Sequence, residues 1–111
     1  MFEDIEPVDF MRRLSSGELW QLVDVREPWE REIAHVEPAL HMPVNNIPMA
    51  EIPARYTELK PSEPVAVLCH SGARSARVAG FLAQQGFLRV ANIRGGIDAW
   101  SRDSDPSIPR Y

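Results

Sequence analysis

Cysteine occurs once in these 111 residues, at Cys69. That excludes an internal disulfide, and a lone thiol fits a reducing compartment. The three histidines are scattered, and with a single cysteine they lack metal-ligand spacing such as C-x2-C, so no metal site is expected. No apolar run approaches the roughly 20 residues that cross a bilayer. The opening MFEDIEPVDF is acidic where a signal peptide is basic. Positive charge is also short: the net charge is −4, which argues against the basic face of a general nucleic-acid binder. These absences together point to a cytoplasmic protein with no membrane or nucleic-acid partner.

What is present reads as one ordinary globular domain over residues 1–111, with a core over about 3–101 and a polar, proline-containing tail over 102–111. A chain of this length can bury roughly two thirds of its unfolded surface without staples. Strand and helix signals alternate. Val8 to Ser15 has helical apolar spacing and stops at Gly17, and Leu19 to Val25 reads as a strand. Trp29 to Ile33 suggests a helical turn, Ala39 to Pro43 a short strand, and Met49 to Leu59 a helix with Pro53 in its first turn. Val65 to Leu68 is wholly apolar, as in a strand buried on both faces of a parallel sheet. Ser75 to Gln85 is the clearest helix, with Gly86 as its stop. Leu88 to Ile93 predicts another strand, and Ile97 to Ser101 a short helix. This pattern predicts a single α/β domain.

In such domains ligands bind beyond the carboxyl ends of parallel strands, and Cys69 lies at one such end. It opens the loop Cys69-His70-Ser71-Gly72-Ala73-Arg74-Ser75, which runs into a helix N-terminus. Unpaired backbone N–H groups and the helix dipole favour an anion there, and Gly72 allows successive N–H groups to turn inward. A thiolate cradled in this way is favoured over the thiol, and the thiolate is the nucleophile. From Cys69 through Ile97 there is no Asp or Glu, while Arg74, Arg77, Arg89 and Arg94 all fall there, which suits an anionic substrate. Arg77 and Arg89 read as solvated surface charges; Arg74, inside the loop, reads as functional. The His70 side chain is expected to point away from that of Cys69. The bland reading of Cys69 itself is a small buried hydrophobe.

The loop resembles C-x-x-G-x-R-S, the active-site loop of single-domain bacterial rhodanese-like sulfurtransferases. Leu22-Val23-Asp24-Val25-Arg26-Glu27 resembles the L-[IV]-D-V-R-E of that family, and Gly95-Gly96-Ile97-Asp98-Ala99-Trp100 resembles its G-G-x-x-A-W. The tail from Asp105 to Tyr111 resembles the ending of a bacterial subgroup. The motifs occur in the family's order and cover almost the whole chain. The resemblance implies a central, mostly parallel five-stranded sheet with helices on both faces. It implies transfer of a sulfane sulfur, from thiosulfate or a persulfide donor, through a Cys69 persulfide to a thiophilic acceptor. That acceptor is cyanide in an assay and a thiol (thioredoxin, glutathione or a protein) in cells. The amides of His70 to Ser75 would hold the persulfide, Asp24 and Arg26 would brace the loop, and an Asp24–Arg74 ion pair is expected. No metal or organic cofactor is implied. One segment departs from the family: Ala34-His35-Val36-Glu37-Pro38-Ala39 stands where G-H-I-P-G-A is usual, and His35 reads as structural. Phosphatases and arsenate reductases of the same fold use C-x5-R, one residue longer than the C-x4-R here. A non-enzymatic binding module of this fold would typically have lost the cysteine.

Overall fold

A computed structural model describes residues 1–111 apart from the Ala39 side chain. The strands are β1 (Glu3–Ile5), β2 (Gln21–Asp24), β3 (Asn45–Asn46), β4 (Val65–Leu68) and β5 (Val90–Ile93). The α-helices are α1 (Pro7–Ser15), α2 (Pro28–Ile33), α3 (Ile52–Arg55), α4 (Ala73–Gln84) and α5 (Gly96–Asp103). The strands form one sheet in the order β1-β5-β4-β2-β3, and every pairing is parallel. The sheet is therefore wholly parallel rather than mostly so. Among the described residues, no helix is long and apolar enough to cross a membrane.

Side-chain alternation along the strands divides the core into two layers. Ala66 and Leu68 of β4 join Leu22, Ala91 and Ile93 beneath α1 and α5; Val65 and Val67 join Val23 and Val90 beneath α3 and α4. All four residues of β4 are fully buried, as an apolar central strand of a parallel sheet requires. In the first layer Phe10 of α1 lies edge-on between two indoles. Its ring centroid is 5.7 Å from that of Trp20 and 5.9 Å from that of Trp100 on α5. Both contacts have the T-shaped geometry that aromatic quadrupoles favour.

Two local expectations are corrected, and one strand was not foreseen. The strand expected over Ala39 to Pro43 is absent: the segment Glu37–Ala39 is a 3-10 turn, and the pairing falls later, at Asn45–Asn46. Pro43 has no N–H to give a ladder, whereas Asn45 adds a side-chain bond to the Leu22 carbonyl at 3.2 Å. The helix expected over Met49 to Leu59 is a four-residue α-helix between two 3-10 turns. The three-residue edge strand β1, two of whose residues are acidic and exposed, carries too little apolar pattern to stand out.

Phe10→Ala should destabilise the domain by about 3 to 5 kcal/mol, because both indoles lose their common partner. Urea unfolding measures this; a loss below about 1 kcal/mol would mean that the α1–α5 layer repacks freely.

Candidate functional site

Buried β4 delivers Cys69 to the carboxyl end of the sheet, where its side chain is 1% exposed. The chain then turns sharply at Gly72, whose φ of +103° lies in the left-handed region that favours glycine. This turn brings the Gly72 N–H back onto the sulfur, donating to Sγ over 3.1 Å. The Ser75 hydroxyl, in the first turn of α4, lies 3.1 Å from Sγ.

The loop is held from behind. The amide of Ile97 donates to the Cys69 carbonyl at 2.9 Å, and that of Asp98 to the His70 carbonyl at 3.0 Å. Both donors are otherwise unpaired amides of the first turn of α5. Gly96, with φ +61°, makes the approach possible: a Cβ there would land on the carbonyl oxygens of Cys69 and His70. A trans peptide points its N–H opposite to its C=O. With both carbonyls drawn toward α5, the amides of His70 and Ser71 therefore point away from it. Among the described residues, the amides of His70, Ser71, Ala73, Arg74 and Ser75 have no protein acceptor. The loop thus carries a set of free N–H groups at the start of a 12-residue helix, the arrangement that binds negative charge.

A second network braces the loop from α2 and β2. Arg26 is fully buried and folds back on Asp24, with Nε 3.0 Å and Nη2 2.8 Å from its carboxylate. Arg74 reaches Glu30 of α2 instead, through two parallel bonds of 2.7 Å. The expected Asp24–Arg74 pair is thus replaced by two others. Asp24 is occupied by the arginine two residues along the chain, and the bidentate geometry of Arg74 is satisfied by Glu30. Tyr111 joins the two pairs. Its hydroxyl accepts from Arg26 Nη1 at 3.0 Å and donates to Glu30 Oε1 at 3.0 Å. Its ring stacks on the His70 imidazole at 4.0 Å, 7° from parallel. His35 lies apart from the site, its Nδ1 3.2 Å from the Arg31 carbonyl. No cluster of three potential metal ligands occurs among the described residues.

Comparison with known proteins places this geometry. Residues 6–103 match the model of the rhodanese-like domain. A sulfurtransferase of Allochromatium vinosum is 37% identical over 108 residues, covering 97% of this chain and 96% of its own. A chloroplastic rhodanese-like/PpiC domain-containing protein of Arabidopsis thaliana is 45% identical over 91 residues, 82% of this chain but 30% of its own. The crystal structure of a rhodanese-related protein from Thermoplasma volcanium superposes with a TM-score of 0.80 at 27% identity, covering 99% of this chain and all of that one.

The chain belongs to the rhodanese-like family. Within this rhodanese-like domain the structure brings Asp24, Arg26 and the loop from Cys69 to Ser75 to one end of the sheet. It also brings in three residues that the sequence did not single out, namely Glu30, Asn92 and Tyr111. A signal existed for Glu30. Glu27 and Glu30 stand three apart around Pro28 and form a capping box at the start of α2. Tyr111 had none, because nothing local shows that a polar tail returns to the site. It returns because Ile108 is buried in the first core layer, and Arg110 pairs with Asp98 at 2.9 Å.

The Glu30 carboxyl is held at about 2, against an ordinary 4.5. The Arg74 hydrogen bonds are the main cause; burial opposes them, and the bonds from the Glu27 amide and Tyr111 add to them. The folded state therefore binds this proton more weakly than the unfolded chain. The resulting stability is fully present above pH 4.5 and is lost as the pH falls toward 2. Glu30→Gln should be less stable than wild type at neutral pH by about 1 to 3 kcal/mol, and its stability should fall less steeply across that acid window. Urea midpoints measured through the window test this, and parallel curves would remove Glu30 from the account.

Proposed function

We propose that this domain is a sulfurtransferase that carries sulfane sulfur as a persulfide on Cys69. The observation that carries the reading is the sole thiol of the chain placed under the Gly72 amide, in a loop whose other amides are free to receive charge. In the first half-reaction the Cys69 thiolate attacks the sulfane sulfur of a donor. With thiosulfate, the S–S bond breaks and sulfite leaves with the electron pair. The outer persulfide sulfur then carries the negative charge, which the amides from His70 to Ser75 stabilise as an oxyanion hole stabilises oxygen. In the second half-reaction an acceptor nucleophile attacks that outer sulfur and Cys69 departs as thiolate. No net redox change occurs, and the kinetics are ping-pong. The relative from A. vinosum bears the name sulfurtransferase, and a maize relative, 32% identical over 106 residues, is an adenylyltransferase and sulfurtransferase. Both names support sulfur transfer in general; within the proposal the donor is thiosulfate or another small anionic or persulfide species, and the acceptor a thiol such as thioredoxin, glutathione or a protein.

Brief incubation with thiosulfate should add one sulfur atom to the wild-type mass, removed by a reducing agent, and none to Cys69→Ser. No addition to wild type, with a thiol that still alkylates, would exclude thiosulfate as donor; no addition and no alkylation would return Cys69 to the role of core residue.

A Cβ on Gly72 would meet the Gly95 nitrogen at 3.1 Å, and the φ of +103° is one that a β-branched residue resists. Gly72→Val should therefore lower thiocyanate formation from thiosulfate and cyanide by about a hundredfold, the scale of losing one preorganised donor. Full activity would show that the turn does not shape the cradle.

A further inference from the structure

We infer that Asn92 and Asp4 are positioning residues that decide which way the Ser75 hydroxyl faces, and thereby whether Cys69 meets a hydrogen-bond donor or an acceptor there. The inference rests on the reading of Cys69 as the reacting sulfur. Asn92 interrupts β5, whose other residues are apolar, and alternation along the strand places it on the α4 side with Val90. It is 5% exposed, so each of its polar atoms needs a partner. Its Nδ2 donates to Asp4 Oδ1 at 3.0 Å and to the Gly72 carbonyl at 3.4 Å. A carboxylate and a carbonyl only accept. Turning the amide over would set its oxygen against both, so its orientation is determined. Oδ1 therefore faces Ser75 and takes the hydroxyl proton over 2.5 Å.

Ser75 has one proton to give. With that proton on Asn92, its oxygen presents lone pairs to Sγ, 3.1 Å away. This arrangement accepts an S–H and stabilises the thiol. When Cys69 loses its proton to water, the sulfur charge faces those lone pairs until the hydroxyl rotates from Oδ1 to Sγ. That rotation leaves the Asn92 oxygen unpaired. The hold of Asn92 on Ser75 therefore weighs against the thiolate, and Asp4, from the edge strand, sets that hold by fixing the amide. The other charges around the loop are Arg74 with Glu30, Arg26 with Asp24, His70 beneath Tyr111, and Asp98 with Arg110. None of them is changed in the variants below.

The test is the far-ultraviolet absorbance of the thiolate across pH, referenced to Cys69→Ser, which is specific because the chain has one cysteine. It needs no sulfur donor, so it separates failure of this inference from failure of the sulfurtransferase reading. Asn92→Ala removes no charge and frees the Ser75 proton. It should raise the thiolate fraction about three- to tenfold on the rising limb, the scale of one neutral hydrogen bond. In a Ser75→Ala background the same change should have no effect. Asp4→Ala, at an exposed edge, decides the matter if Asn92→Ala does not fold. It removes a charge as well, so its rise should be larger with Ser75 present than in the Ser75→Ala background. An unchanged thiolate fraction, or equal effects in both backgrounds, would overturn the relay.

Discussion

The contact on which the site depends is the approach of α5 to the carbonyls of Cys69 and His70. Two amides at 2.9 and 3.0 Å hold these carbonyls, and the approach exists only because Gly96 has no side chain. Fixing the carbonyls of two residues on one side of a loop fixes the N–H groups of the same two peptides, those of His70 and Ser71, on the other. The orientation of the His70 and Ser71 amides thus follows from the grip of α5, while those of Ala73, Arg74 and Ser75 are free because they open α4. The G-G-x-x-A-W motif is thus part of the site in a mechanical sense. Its glycines admit the backbone, while Trp100, fully buried against Phe10, anchors the helix that makes the grip.

The two arginine pairs answer a different problem. A fully buried guanidinium is costly unless its donors are all met. Arg26 answers most of this demand: all three of its nitrogens donate, to Asp24, the Glu30 carbonyl and the Tyr111 hydroxyl. The same hydroxyl and the same helix also serve the Glu30–Arg74 pair, so β2, α2, α4 and the tail are cross-linked at the mouth of the loop. Burial raises the Tyr111 phenol above its ordinary range, and so the group stays a hydroxyl and keeps its donation to Glu30.

How much of this was legible depended on whether the information was local. The apolar run of β4, the helical stripe of α4 and the three motifs placed the fold class, the thiol and its loop. β1 was not legible, since Glu3 and Asp4 are acidic and exposed and leave Ile5 as its one buried residue. The strand expected over Ala39 to Pro43 failed because an apolar stretch holding a proline resembles a strand until one asks which N–H groups can bond. The brace partners failed for a third reason. Which carboxylate meets Arg74 is settled by packing between elements 44 residues apart, and a motif of adjacent residues carries no record of that distance.

The electrostatic reading changes most between sequence and fold. Along the chain, four arginines with no acid among them look like a positive surface for an anion. In space, acids from elsewhere meet two of them: Glu30 takes Arg74, while Glu3 and Glu18 approach Arg89 at 3.2 and 3.9 Å. With both terminal nitrogens of Arg74 bonded to Glu30, its charge is largely cancelled where it would matter. The attraction that remains beside Cys69 comes from oriented N–H dipoles. These act over the length of a hydrogen bond and not over a Debye length of about 10 Å. A site of this kind selects for charge that has already arrived at the sulfur, and stabilises it there, more than it draws charge in from solution. That property suits the role proposed for the loop, holding the outer sulfur of a Cys69 persulfide between two transfers.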